Sequence, residues 1–312
     1  MNLLPESWRN QLEFYAATHG IIPQTHKIEA RKRLADVKAW SADSAFDHSL
    51  WDAVLKKHVR AGGGVIHDGD QIVEDVSLVD YAHLMVDDRF EAYLGLLASV
   101  DLESLPPVEQ LALLINTYNA LCIKLVTKHI ALKDSSDPPL RSINELTTKE
   151  SKVWDLPAGS LGGKTVTLNQ VEHEYLRGSW DEPRLHACIV CASASCPNLR
   201  AGAFTGEHLE DQMREQMHLF CSNPTKGVLG SEATSRSLRG SGTAQLRLSR
   251  IFLWFANDFG GLAGAAEHAV DAARAGSDES ATTIAVLPLM PKACRLRYFK
   301  YSWLLNAQPG FT

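Results

Sequence analysis

The amino-acid sequence predicts an α+β fold: a mostly helical single domain with a small sheet and a central buried helix. Three observations carry this. The segment VEQLALLINTYNALCIKLVTKH, residues 108–129, is apolar almost all the way round, as a helix enclosed by protein must be. Several other stretches repeat apolar residues at three- and four-residue spacing, the helical period. Strand-like runs are few and short, the clearest being GSLGGKTVTL and LHACIV.

In chain order, EARKRLADVKAW and SLWDAVLKKHV read as helices of a lead-in that extends to about residue 75, with AGGG (Ala61–Gly64) as a break. VDYAHLMVDDRFEAYLGLLASV follows with a helical pattern and ends before Pro106-Pro107. Pro107 suits the first turn of the central helix, where an amide would be unpaired anyway. After the loop SSDPPL, GSLGGKTVTL reads as a hairpin with Gly162-Gly163 at its turn, then a helix with Asn169 as N-cap. Leu185–Val190 is a strand candidate, and GEHLEDQMREQMHLFCSN an amphipathic helix. The Gly/Ser/Thr-rich stretch between Asn223 and Gln245, and AGSDESATT after an Ala-rich helix, read as surface insertions. IFLWFANDF and LRYFKYSWLLN read as core strands or helices, with Asp258 as a cap or network member. No internal repeat is present.

Composition narrows the function. Of 312 residues, 31 are basic and 37 acidic, giving a formal charge of -6, with no Lys/Arg block, so nucleic acid is not an expected partner. No run approaches the ~20 apolar residues of a membrane helix, which argues against membrane insertion. Glu6, Arg9 and Glu13 interrupt the N-terminal segment, unlike a signal peptide's apolar core, so the chain is read as cytoplasmic. Six cysteines in a chain of this length are not a disulfide framework, and reduced thiols are expected.

Three of those cysteines fall in RLHACIVCASASCP, residues 184–197. Cys188 and Cys191 make a CxxC, but a cysteine in mid-strand lacks the electropositive helix N-terminus that activates redox pairs. A zinc site could draw on His186, Cys191, Cys196 and His173, although the spacing matches no standard ribbon or finger. A thiol nucleophile needs an imidazole base and a group to orient it. Cys196 in SASCP is favoured over Cys191, because a Ser/Ala loop leaves amides free as an oxyanion hole. His186 or His173 is then the base and Asn119 or Asn116 the orienting group. The competing reading for each thiol is a small buried hydrophobe, and this is taken for Cys122, Cys188, Cys221 and Cys294.

Asn116 and Asn119 stand i,i+3 on the apolar helix and share a face. Buried amides must be hydrogen-bonded, so they either serve chemistry or clamp a neighbouring loop's backbone. Arg177, four residues after His173, and Arg184 could each bind a carboxylate or phosphate, or form structural ion pairs with Glu172 or Asp181.

These segments, with VDYAHL, INTYN, EHEYLR, HACIVCASASCP and YSWLLN in order, resemble the domain of unknown function 547 family from about Leu50 to Asn306. The resemblance marks Asn116, Tyr118, Asn119, His173, Arg177, Arg184, His186, Cys191, Cys196 and Pro197. It divides the chain into a lead-in at 1–49, the family-like domain at 50–306 and a tail at 307–312. The family's closing segment is YDWxLN-like; this chain has Ser302 at the aspartate's place, so any chemistry of that aspartate would be altered here. The resemblance implies no established activity and no cofactor.

Together these readings point to a cysteine- and histidine-dependent hydrolase or acyl transferase. It would act on a small-molecule or peptide-like substrate, with Arg177, Arg184 and Tyr118 contacting that substrate. The alternatives are a zinc enzyme at the same residues, and a non-catalytic domain with a protein partner, in which the Cys191–Cys196 loop is a structural turn or a disulfide.

Overall fold

The computed structural model describes residues 31–37, 45–132, 138–231, 244–275 and 294–309. It is α+β and mostly helical. The chain divides into two compact units, one holding residues 28–216 and 302–312 and the other, in its described part, 217–301. Both divisions fall inside the 50–306 segment that the sequence reads as one domain.

In the larger unit, helix α1 (Ser49–His58) buries Trp51, Val54, Leu55 and His58, one helical stripe, and Trp51 stacks on Tyr93 with ring centroids 5.5 Å apart. The lead-in is only partly helical. Of EARKRLADVKAW, a 3-10 turn at Leu34–Asp36 is described, and Glu29, Ala30 and the segment from Lys38 lie outside the described residues. After α1 comes a hairpin, not more helix: β1 (Val59–Asp68) pairs antiparallel with β2 (Gln71–Val79). Its register shifts around Gly64, and Gly62 and Gly63 take left-handed φ of 66° and 69°, so the AGGG break is an irregularity within a strand.

The following helical pattern splits in two. α2 (Tyr81–Leu84) is capped by Asp80, and α3 (Asp88–Ser99) by Asp87, whose carboxylate accepts the Arg89 amide at 3.1 Å. The central helix α4 (Pro107–Ala131) starts at Pro107 as expected and buries residues on every face, Leu111, Leu113, Leu114 and Ile115 among them. The hairpin β3 (Pro157–Leu161) and β4 (Lys164–Thr167) turns at Gly162-Gly163, both at positive φ, the conformation of a tight two-residue turn.

A π-helical segment at Gln170–Leu176 follows. Its cap is not Asn169, which makes no capping bond and donates to Asp155 instead. Thr167 and Gln170 cap it reciprocally: the Thr167 hydroxyl accepts the Gln170 amide, and the Gln170 side chain accepts the Thr167 amide. The expected strand at Leu185–Val190 is also absent. Leu185–Cys188 is a helical turn, α5, because the amides of Leu185, His186 and Ala187 fold back onto the carbonyls of Glu182, Pro183 and Arg184. Proline at 183 presets the backbone for that turn.

The amphipathic helix α6 (Leu209–Ser222) forms as expected. In the smaller unit, β5 (Val228–Ser231) pairs antiparallel with β6 (Ala244–Leu248), which pairs in parallel with β7 (Cys294–Tyr298). IFLWFANDF becomes helix α7 (Ile251–Trp254) and a 3-10 turn, and Phe252 packs between Phe220 and Phe259. Helix α8 (Leu262–Arg274) is the Ala-rich segment. Among the described residues, three small sheets stand where the sequence predicts one. Among the described residues no helix is long and apolar enough to cross a membrane.

Candidate functional site

The cysteine loop is fastened on two sides in the larger unit. From α4, Asn119 accepts the Val190 amide on Oδ1 (2.8 Å) and donates from Nδ2 to the Cys188 carbonyl (2.9 Å). From the C-terminal segment, Asn306 donates its amide to the Ala192 carbonyl (3.0 Å), while Ala194 and Ser195 donate theirs to the Leu304 and Ser302 carbonyls. The Ser302 amide returns a bond to Ser195 Oγ at 2.9 Å. Ser302, where the sequence resemblance implies an aspartate, is thus a backbone partner of the loop.

Within the loop, Ala192 takes a left-handed φ of 59° and turns the chain sharply after Cys191. The reversal lets the Cys191 amide donate to Cys196 Sγ at 3.2 Å, while Cys191 Sγ lies 3.1 Å from Ser193 Oγ. Both cysteines are free thiols. Cys196 is buried and Cys191 half-buried, which makes Cys191 the most accessible of the five cysteines described. The expectation that this loop leaves its amides unused is corrected for Ala194, Ser195 and Cys196, each of which donates to a carbonyl. Buried amides rarely go unpaired, and these are no exception.

Two buried tyrosines lie near the thiols. Tyr118 and Tyr81 are buried, and burial, followed by the charges of neighbouring groups, raises both phenols well above their ordinary range. For Tyr118 those neighbours are Glu172, Cys122, Cys191 and Cys196; for Tyr81 they are the same three cysteines. The Tyr81 hydroxyl donates to Asn306 Oδ1 at 2.7 Å. Tyr118, Asn119, Cys191 and Cys196 are therefore brought together, with Glu172, Cys122, Tyr81 and Asn306 around them. Burial pushes the thiols of Cys122, Cys188 and Cys221 up, the reverse of what a redox-active CxxC needs.

The histidines are placed differently from each other. His186 is buried on α5. His173 is exposed on the π-helical segment, with Nδ1 2.5 Å from Arg177 Nη1. Guanidinium only donates, so Nδ1 accepts and the imidazole proton sits on Nε2 in this arrangement. Single-turn π-helices recur at functional sites, and this one carries Glu172, His173 and, at its end, Arg177, whose amide closes the wide turn on the Glu172 carbonyl.

Arg184 is engaged elsewhere. Its guanidinium forks onto Glu182 (2.7 and 2.6 Å) and onto Glu210 (2.6 and 3.0 Å). Burial alone would lower its pKa, but those bonds and charges raise it well above the usual value. The partners are thus neither Glu172 nor Asp181. Arg184 borders a cavity of about 540 Å³ that Arg33, Asp181, Glu207 and Glu210 also line.

Asn116 is engaged elsewhere. It grips the Phe204 backbone through both amide atoms, Nδ2 to the carbonyl (2.7 Å) and Oδ1 from the amide (3.0 Å). That orientation also points Nδ2 at His48 Nδ1 (3.2 Å), so Nδ1 accepts and Nε2 carries the proton toward Glu109 Oε1 (3.2 Å). The buried His48–Glu109 pair was not legible in the sequence. A histidine before a helix and a glutamate 61 residues on share no motif.

No group of three or more His, Cys, Asp or Glu side chains placed to hold a metal ion occurs among the described residues. The four zinc-ligand candidates are thus not assembled as a metal site there.

Comparison with known proteins is sparse: no curated protein and no solved structure matches the chain. One family model does match, over a shorter stretch than the resemblance from Leu50 to Asn306, though it includes INTYN, EHEYLR and the cysteine loop. Residues 102–221 match the model of the family described as protein of unknown function, DUF547.

Proposed function

We propose that the chain is a thiol-dependent hydrolase or acyl transferase with Cys191 as its nucleophile, acting on a small-molecule or peptide-like acyl donor. One observation carries the reading. Cys191 is the described thiol that solvent reaches most readily, held at a sharp left-handed corner with its sulfur beside Ser193 Oγ. A nucleophile must be both fixed and reachable, and the other described thiols are buried.

In this scheme the Cys191 sulfur adds to the substrate carbonyl as its proton passes to a histidine. The leaving group takes that proton, and water or an acceptor alcohol or amine then cleaves the thioester. His186, buried on α5 five residues before Cys191, is taken as the base in preference to His173, which is exposed on the π-helical segment. Arg177, half-buried at the end of the π-helical segment, is the better substrate anchor, since Arg184 is spanned by two carboxylates. Asn119 acts through the loop backbone and not on the base.

The test is incubation of the folded protein with 4-nitrophenyl acetate and, separately, iodoacetamide, followed by peptide mapping. One acetyl group on Cys191, released on standing, together with fast alkylation at the same residue, supports the reading. Slow, uniform labelling of all thiols would end it. It would then favour the second reading, a non-catalytic interaction domain, which draws support from the way Asn116, Asn119 and the amides of Ala194, Ser195 and Cys196 are spent on holding backbone.

A further inference from the structure

Cys196 has no task in the scheme above, yet its sulfur is fixed against the backbone of the one accessible described thiol. We propose that Cys191 and Cys196 form a hydroperoxide-sensitive dithiol, Cys191 being oxidised first and Cys196 resolving it as an intramolecular disulfide. The inference rests on Cys191 being the accessible thiol of the proposed function, and it does not require acyl transfer.

Proximity is the first argument. Cys196 Sγ lies 3.2 Å from the Cys191 nitrogen. Adding one N–Cα bond of about 1.46 Å places it no more than about 4.7 Å from the Cys191 Cα. A sulfur that close to the Cys191 backbone is within reach of the Cys191 side chain, and the proposed pairing has the Cys191 rotamer change to bring the two sulfurs together. The small residues between them, ASAS, leave the corner uncrowded, and the left-handed Ala192 sets the reversal.

Selectivity is the second. The thiolate is the species that attacks peroxide, and burial disfavours it at Cys122, Cys188 and Cys221. Cys191 is half-buried. Cys122 is near enough for its charge and that of Cys191 to act on each other, but the hydrogen-bonded neighbour is Cys196.

The chemistry balances in two steps. The Cys191 thiolate attacks the outer oxygen of a hydroperoxide. The O–O bond breaks, the sulfur is oxidised to a sulfenic acid, and the departing alkoxide takes up a proton as an alcohol, or as water from hydrogen peroxide. The Cys196 sulfur then attacks the Cys191 sulfur. The S–S bond forms, the S–O bond breaks, and hydroxide leaves as water with the Cys196 proton. Two thiols are oxidised and one hydroperoxide is reduced.

The experiment treats the reduced full chain with one equivalent of hydrogen peroxide, blocks remaining thiols with N-ethylmaleimide in acid, and maps the peptides. The expected result is a peptide containing residues 191–196 that lacks two hydrogens, with loss of Cys191 alkylation that dithiothreitol restores. In Cys196→Ser, a sulfenic acid on Cys191 should persist and be trapped by dimedone. In Cys191→Ser, no disulfide should form. A Cys122–Cys191 link, or a stable sulfenic acid in the unaltered chain, overturns the pairing. The unaltered chain decides the matter even where a variant fails to fold. If Cys191 alkylates quickly but forms no disulfide, this inference alone fails; if it never alkylates, the proposed function fails with it.

Discussion

Asn119 holds Val190, accepting its amide on Oδ1 at 2.8 Å while the same side chain donates to the Cys188 carbonyl at 2.9 Å. Both residues are buried, and among the described residues no other side chain is bonded to these two groups. Asn119→Ala leaves two buried polar groups unpaired at about 1–3 kcal/mol each. The expected loss of stability is about 2–5 kcal/mol, read from urea unfolding. Because the clamp ends one residue before Cys191, the alkylation rate of Cys191 should change as well, which a purely global effect on folding would not produce under native conditions. A loss below about 0.5 kcal/mol would mean the clamp is not formed.

Ala192 lies one residue further on, buried and at a φ of 59°. Its left-handed backbone costs about 1–2 kcal/mol for a residue with a Cβ. Ala192→Gly removes that strain, but it forfeits a buried methyl worth about 0.8 kcal/mol and adds about 0.5–1 kcal/mol of unfolded-chain entropy. These terms nearly cancel, so the glycine variant should unfold within about 1 kcal/mol of the parent. Ala192→Val brings a β-branched side chain into the same conformation and should cost at least about 2 kcal/mol. Equal losses for both variants would contradict the left-handed corner.

What the sequence disclosed and what it hid follow from how local each signal is. Helix α4 is legible because 25 residues of mostly apolar side chains, opened by a proline, have no other stable arrangement, and two asparagines within it had to meet partners. Their partners, Phe204 and the segment Cys188–Val190, were not legible, since 88 and about 70 residues separate them and no periodicity encodes the meeting. Leu185–Val190 was misread because five apolar residues around His186 fit a strand and a buried helical turn equally; the preceding Pro183 was the discriminating sign. The β1–β2 hairpin was hidden by AGGG, although Gly69-Asp70 forms its two-residue turn. Among the site residues, Cys191, Cys196, Asn119 and Tyr118 stand in the motifs INTYN and HACIVCASASCP, whereas the bond between Tyr81 and Asn306, 225 residues apart, has no local signal.

Asp87 gives a prediction on acid stability. Its carboxylate accepts from Arg89 Nη2 (2.6 Å) and Nε (2.9 Å), from His58 Nε2 (2.9 Å) and from Lys57 Nζ (3.1 Å). The hydrogen bonds from Arg89 above all, against the opposing effect of burial, hold it well below the usual carboxylate range. A carboxyl depressed in the folded state binds fewer protons there than in the unfolded chain. Its stabilisation is therefore complete above the unfolded value of about 3.9 and drains away as pH falls below it toward the folded value. Asp87→Asn should lower stability at neutral pH by about 1–3 kcal/mol and flatten the decline between about pH 4 and pH 2. Parallel acid limbs for the two proteins, followed by urea midpoints, would assign the acid sensitivity to other carboxylates.

Arg184 separates a structural ion pair from a substrate anchor. Its two carboxylate partners differ in environment: the Glu182 side chain is 7 % exposed and that of Glu210 56 %. Removing the cation with Arg184→Gln strands Glu182 as a buried charge, a change that costs about 3–5 kcal/mol where pairs are fully enclosed. Glu210→Gln loses only a solvent-screened contact of about 0–1 kcal/mol. Arg177→Gln, at a half-buried position beside an exposed histidine, should stay within about 0.5 kcal/mol of the parent. If Arg177 and not Arg184 meets substrate, then Arg177→Gln raises KM for an anionic acyl donor while leaving unfolding unchanged, and Arg184→Gln lowers stability while the folded fraction keeps its KM. The opposite partition, a stable Arg184→Gln protein with a raised KM, would move the anchor to Arg184 and the substrate to the cavity it borders.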